Sequence, residues 1–116
     1  MIAKKFRFHG YGSLKFVYSK GDSVRSRFLA MKYIKNTRRS DSRLSVVVSK
    51  KVAKKSPTRN TIRRRIYEVM RLRWSMIEPG YDMVITVFDE RIATIDSPRL
   101  QQYVEELLSQ AKLYKD

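Results

Sequence analysis

The residues of this chain best suited to chemistry lie between positions 49 and 73, in SKKVAKKSPTRNTIRRRIYEVMRLR. This stretch holds ten Lys+Arg and one acid, Glu68. Arginine replaces lysine from Arg59 onward. Its planar guanidinium grips phosphate bidentately and stacks on bases. Asn60 sits inside the run, where its amide can hydrogen-bond a base edge or a 2′-hydroxyl. Arg63, Arg64 and Arg65 are consecutive and repel one another in the free protein. A solvated helix face normally carries acids at i+4 to relieve such repulsion, and here they are nearly absent. The pattern points to a polyphosphate partner.

Catalytic chemistry of the protein's own is harder to find. With no cysteine, disulfides, thiolate metal sites and cysteine nucleophiles are excluded. His9 is the single histidine, so a two-histidine metal site cannot be built, and a solvated side chain near the terminus is the preferred reading of it over a Ser-His-Asp set. Glu68 stands alone and can pair with Arg64 or Arg71 on its own helix. Asp89 and Glu90 are adjacent but follow a strand, and read as a turn. No catalytic residue and no metal ligand is assigned to this chain.

The whole chain is basic but unevenly so. Its 116 residues carry a formal charge of +15, with a sequence pI of about 10.4. Residues 1–73 hold 22 of the 26 Lys+Arg and three acids; residues 74–116 hold four bases against eight acids. Such asymmetry suggests one face for a polyanion. At 42% hydrophobic residues the length suits one domain over 1–116, with 1–12 a basic arm. No apolar run approaches the roughly 20 residues of a membrane span. The N-terminus lacks a signal-peptide core. The expected location is the cytoplasm, with no membrane and no obligate protein partner.

The elements that must position the basic run follow from periodicity. Ser13 can cap a short helix over 14–19 that Gly21 ends, placing Leu14, Val17 and Tyr18 on one face. Residues 25–34 alternate as a strand, with Leu29, Met31 and Tyr33 on one side. Residues 43–49 form a second strand, expected to pair with the first as an antiparallel hairpin. Ser56 and Pro57 read as N-cap and first helical position of a helix reaching about Trp74, stopped at Pro79-Gly80. Ile62, Ile66, Val69 and Met70 form its buried stripe, with Asn60, Arg64, Tyr67 and Arg71 opposite and Arg63 at the edge. Residues 82–88 make a third strand. Ser97-Pro98 opens a last helix carrying Leu100, Tyr103, Val104, Leu107, Leu108 and Ala111. The order α-β-β-α-β-α implies an α+β fold, a two-layer sandwich.

Residue types alone leave RNA and DNA open. A DNA reader needs a helix shaped for the major groove, usually in a dimer. An RNA reader combines basic side chains with aromatic platforms, and Tyr11, Tyr18, Tyr33 and Tyr67 lie among the basic residues. RNA is favoured. A non-enzymatic RNA-binding protein of ribosomal or assembly type, a DNA-binding regulator and a nuclease in its own right are the rival readings.

SVVVSKKVAKKSPTRNTIRRRIYEVMR resembles the protein subunit of bacterial ribonuclease P. Ser49, Lys50 and Lys51 match that family's strand end; Arg59 and Asn60 match its helix opening; Arg63 and Arg64 match its basic pair. The similarity runs through Phe6-Arg7, the first helix, the Arg27 strand and Gly80-Tyr81-Asp82. Departures occur at Thr61 and Tyr67, where basic residues are common, and at Arg65, where an aliphatic is usual. Leu14 and Tyr18 stand for two phenylalanines, and Lys32 for an aromatic.

The resemblance implies a ribosomal-protein-like fold with a left-handed β-α-β crossover. It implies a subunit that assists a catalytic RNA in Mg²⁺-dependent removal of the 5′ leader from precursor tRNA, the Mg²⁺ being bound mainly by RNA. Lys50, Lys51, Arg59, Asn60, Arg63, Arg64, Tyr67 and Arg71 are then expected on the catalytic RNA. Leu14, Tyr18 and Lys32 are expected in a cleft for the leader.

Overall fold

The computed structural model describes residues 6–7, 11–37 and 40–115. The helices and strands run α1 (Tyr11–Lys20), β1 (Asp22–Ser26), β2 (Leu29–Lys35), β3 (Arg43–Val48), α2 (Ser56–Arg73), β4 (Tyr81–Val87) and α3 (Ser97–Gln110). The α+β class is as expected, with one strand more than the sequence suggested. The stretch 25–34 is not one strand but two, folded back at Arg27 and Phe28 so that Ser26 faces Leu29. Phe28 adopts φ 65°. Glycine or asparagine normally announces a turn of this kind, and neither is present.

The expected hairpin between the strands of 25–34 and 43–49 does not form. β4 lies between β2 and β3, and the sheet order is β1-β2-β4-β3. β4 is antiparallel to β2 and parallel to β3. Parallel neighbours cannot be joined by a tight turn, so the chain between them must cross over the sheet, and α2 is that crossover. The β-branched run of β3 suits a parallel strand covered on its core face by α2.

Strand alternation divides the sheet into two faces. Leu29, Met31, Leu44, Val46, Met83, Ile85 and Val87 share a core with Ile62, Ile66, Val69 and Met70 of α2. Leu100, Val104, Leu107 and Leu108 of α3 complete it. All four residues of the predicted α2 stripe are buried. On the other face α1 crosses the sheet, setting Val17 on Val84, with Leu14, Ile34 and Val47 around them. The two-layer expectation thus describes α2, α3 and the sheet, while α1 covers part of the far face.

Helix ends differ from expectation by small, explicable shifts. α1 starts at Tyr11, so the last residues of the supposed arm are helical and Ser13 is not the cap. Lys55 is the N-cap of α2 and Asp96 that of α3, neither with a side-chain cap bond. Gly21 ends α1 as expected, its N–H donating to the Val17 carbonyl at 2.8 Å. The reason is space: a Cβ there would lie 2.6 Å from the Val17 carbonyl oxygen and 2.9 Å from that of Tyr33.

An ion pair that the sequence analysis did not anticipate locks the end of the sheet. Arg43 and Asp82 are partners in the β3–β4 register. The Arg43 Nε and Nη2 donate to the two Asp82 carboxylate oxygens at 2.9 and 2.8 Å. Asn36 donates to the same carboxylate at 2.9 Å. The carboxylate is almost fully buried, and the pair raises the pKa of Arg43 further. Removing one partner of such a pair strands the other charge. Asp82→Ala is therefore expected to destabilise the fold by about 3 kcal/mol in urea denaturation.

Candidate nucleic-acid interface

The geometry of α2 separates its three consecutive arginines. Successive residues turn by about 100° around a helix axis, so Arg63, Arg64 and Arg65 fan apart. Arg64 points outward and is exposed. Arg63 leans toward the β3 edge and donates to the Asn60 side-chain oxygen. Arg65 turns the other way and is used structurally. Its Nη1 and Nη2 donate to the carbonyls of Ile92 and Ile95 at 2.7 and 2.5 Å. These carbonyls lie in and just beyond the 3₁₀ turn Glu90–Ala93, which Asp89 caps by accepting from the Arg91 N–H at 2.8 Å. The turn predicted around Asp89 and Glu90 is thus present, and Arg65 ties α2 to it.

Lys50, Lys51, Lys54 and Lys55 are all exposed on the loop leading into α2. This loop is anchored by the buried Ala53 and by Val52 and Ala53 N–H groups donating to the Ser49 carbonyl. Arg59 closes it, its Nη1 donating to the Ala53 and Lys54 carbonyls at 2.9 and 2.8 Å. A guanidinium spent on two backbone carbonyls ties the lysine-bearing loop to the first turn of α2. Arg59 thus belongs to the basic surface as the residue that shapes it.

Two expected contacts change character. Tyr67 is not opposite the buried stripe; it is 3% exposed. Its hydroxyl accepts the Val46 N–H at 3.3 Å on the outer edge of β3, and burial raises its pKa. Arg7 bridges to Leu44 along that edge and lies 5.8 Å from the Tyr67 ring. Tyr67 therefore supports β3 and Arg7, and its burial leaves it no surface for the expected RNA contact. Arg71 is exposed but already engaged, donating to both Glu68 oxygens at 2.6–3.1 Å. The Arg71 guanidinium holds the Glu68 carboxyl down at about 2. Glu68 therefore stays ionised at any pH where RNA is handled, and it offsets Arg71. Of the remaining arginines of α2, Arg73 is buried, donating to Glu105 and Gln101 of α3.

The residues expected in a leader cleft fall on two flanks of α1. Leu14, Arg63 and residues 45–48 line a groove of about 420 Å³ between α1, β3 and α2. Tyr18 and Lys32 lie together at the C-terminal end of α1. The Lys32 ammonium donates to the Tyr18 carbonyl at 3.0 Å and sits 6.0 Å from its ring. A cation is well placed there against the helix dipole. The groove wall formed by Ser45 and Val47 was missed from sequence, because only the β3–β4 pairing shows which face these residues take.

Two outcomes follow for RNA binding measured by fluorescence anisotropy at fixed salt. Arg59→Ala should weaken binding by about 1–3 kcal/mol and speed hydrogen exchange at the amides of residues 50–55; Arg64→Ala should weaken it similarly without that change in exchange. Glu68→Gln should tighten binding two- to fivefold, about the worth of an exposed ion pair, by releasing Arg71.

Known proteins share this sequence and fold. The ribonuclease P family model matches residues 2–112. The chain is 38% identical over 102 residues to the ribonuclease P protein component of Caldanaerobacter subterraneus subsp. tengcongensis, spanning 88% of this chain and 85% of that protein. Against the ribonuclease P protein component of Synechocystis sp. the identity is 32% over 110 residues, spanning 95% and 88%. A Staphylococcus aureus RNase P protein mutant with defective mRNA degradation activity shares the fold with a TM-score of 0.85. Its identity is 26%, and the match covers 96% of this chain and 92% of that one. A ribosomal or assembly protein is not favoured. The chain belongs to the ribonuclease P protein family, as the protein component of a ribonucleoprotein endoribonuclease that processes tRNA.

Proposed function

We propose that this chain binds the catalytic RNA of ribonuclease P through its α2 surface and the 5′ leader of precursor tRNA through the far face of the sheet. Lys50, Lys51, Asn60, Arg63 and Arg64 make the catalytic-RNA contacts, with Arg59 shaping the loop and Arg71 contributing in part. The single observation that carries this reading is the junction at Arg63. One side chain belongs both to the exposed arginine helix and to the groove that Leu14 and β3 enclose. Two RNA strands held on either side of such a residue have their phosphate repulsion screened where they approach. We place this work in the cytoplasm, on tRNA precursors.

Mg²⁺ enters this reading as an ion held mainly by RNA. Among the described residues no three His, Cys, Asp or Glu side chains converge to hold a metal. The donor set of the basic surface is cationic and repels one. The protein's own part is to bind, orient and neutralise. No described helix is long and apolar enough to cross a membrane.

Reconstitution tests the proposal. With a cognate bacterial ribonuclease P RNA at low Mg²⁺, the protein should raise the rate of precursor-tRNA cleavage and favour precursor over mature tRNA. Arg64→Ala should reduce that stimulation, and Lys112→Ala should leave it intact. Absence of stimulation by the unaltered protein would overturn the reading; equal losses at Arg64 and Lys112 would replace a defined surface with diffuse attraction.

A further inference from the structure

The far face of the sheet extends beyond the part that α1 covers. The register sets Ser23, Lys32, Val84 and Ser45 in one row across it, and Arg25, Ala30, Thr86 and Val47 in the next. Val17 of α1 lies on Val84 in the first row. The second row is floored by small side chains and remains partly open, with Arg25 exposed at one end. Phe88 follows β4 with the same parity as Val84 and Thr86, and is 50% exposed. The Arg25 guanidinium lies 5.1 Å from its ring centre.

More positive charge gathers at the same end. The Phe88 N–H donates to the Phe28 carbonyl at 2.8 Å, which places the β1–β2 turn beside it. Arg27 and Arg91 lie 5.1 and 4.6 Å from the Phe28 ring centre, while that ring meets Tyr103 edge-on at 6.2 Å. Phe28 keeps this position in spite of a left-handed backbone that a bulky residue resists. Arg91 is paired with Asp89 at 2.7 Å. Arg25 and Arg27 are both exposed, the first with its guanidinium over the Phe88 ring and the second over that of Phe28.

A solvent-exposed phenylalanine is a loss for a folded monomer, and one with a guanidinium over its ring is a poor seat for an apolar protein partner. The same pair suits a nucleotide. A base stacks on the ring or on the guanidinium plane, and the adjacent phosphates meet Arg25 and Arg27. The small floor of Ala30 and Thr86 lets a strand lie close to the sheet. We propose that Phe88, Arg25 and Arg27 form a second single-stranded RNA subsite, continuing across the sheet from the groove at Leu14. The proposal rests on the reading that this face takes single-stranded RNA. It makes Phe88 a stacking platform and the two arginines its phosphate clamps.

The test uses the full chain and a short fluorescein-labelled oligouridylate, followed by anisotropy. Phe88→Ala should weaken binding about five- to tenfold, the loss of roughly one stacked base, and Phe88→Tyr should restore it. A double variant, Arg25→Ala with Arg27→Ala, should flatten the slope of log affinity against log salt by about 1.4, the value for two single-strand phosphate contacts. Thermal melts of all variants report folding, and the double variant decides alone if Phe88→Ala melts early. Wild-type affinity in Phe88→Ala together with an unchanged salt slope in the double variant overturns the subsite. That result is separable from failure of the functional reading, which appears as an unaltered protein that does not stimulate cognate RNA.

Discussion

Burial of one apolar stripe on α2 fixes the working geometry of this protein. Ile62, Ile66, Val69 and Met70 must leave water, and the sheet face of Leu44, Val46 and Ile85 receives them. Each aliphatic side chain so buried contributes about 1.5–3 kcal/mol. Once that stripe is docked, the helix cannot rotate, and each arginine has a set direction. Arg64 must face solvent, Arg63 must overhang the β3 edge, and Arg65 must reach the carbonyls of Ile92 and Ile95. Specific charge placement is here a consequence of hydrophobic packing.

The parallel pairing of β3 and β4 supports the same arrangement. Because β4 inserts between β2 and β3, the connection from β3 has to pass over the sheet as α2. It enters through the lysine loop that Arg59 closes. Basic loop and basic helix are therefore neighbours by topology as well as by sequence. The buried Arg43–Asp82 pair holds the other end of this strand pair in register. Its role is one of specification: moving the register by one residue would turn every β3 side chain to the wrong face.

A strongly cationic chain needs means of staying folded alone, and several are visible. Arg65, Arg59 and Arg73 spend their donors on carbonyls or on α3, and Glu68 neutralises Arg71. Arg25, Arg27 and Arg91 rest on aromatic rings. Among the described residues, those left exposed and uncommitted, chiefly Arg64 and the loop lysines, mark where a polyanion would complete the charge balance. The distinction between structural and available arginines cannot be made from a count of basic residues.

Some properties were legible without a structure because they depend on period and composition. The stripe of α2, the amphipathic face of α3, the end of α1 at Gly21 and the charge asymmetry are local, and local spacing encodes them. So is the family resemblance carried by residues 45–71. Other properties depend on which strands meet, and no local pattern records that. The hairpin at Arg27-Phe28 lacked a turn residue, the place of β4 between β2 and β3 is a long-range pairing, and the burial of Tyr67 follows from the outer edge of β3 lying beside α2. The groove at Leu14 and the Arg25–Phe88 pair arise only when distant strands are set side by side. The sequence by itself determined a basic helix with one buried side. The tertiary structure decided which of its charges remain free to bind, because hydrogen bonding to distant carbonyls and carboxylates had first claim on the rest.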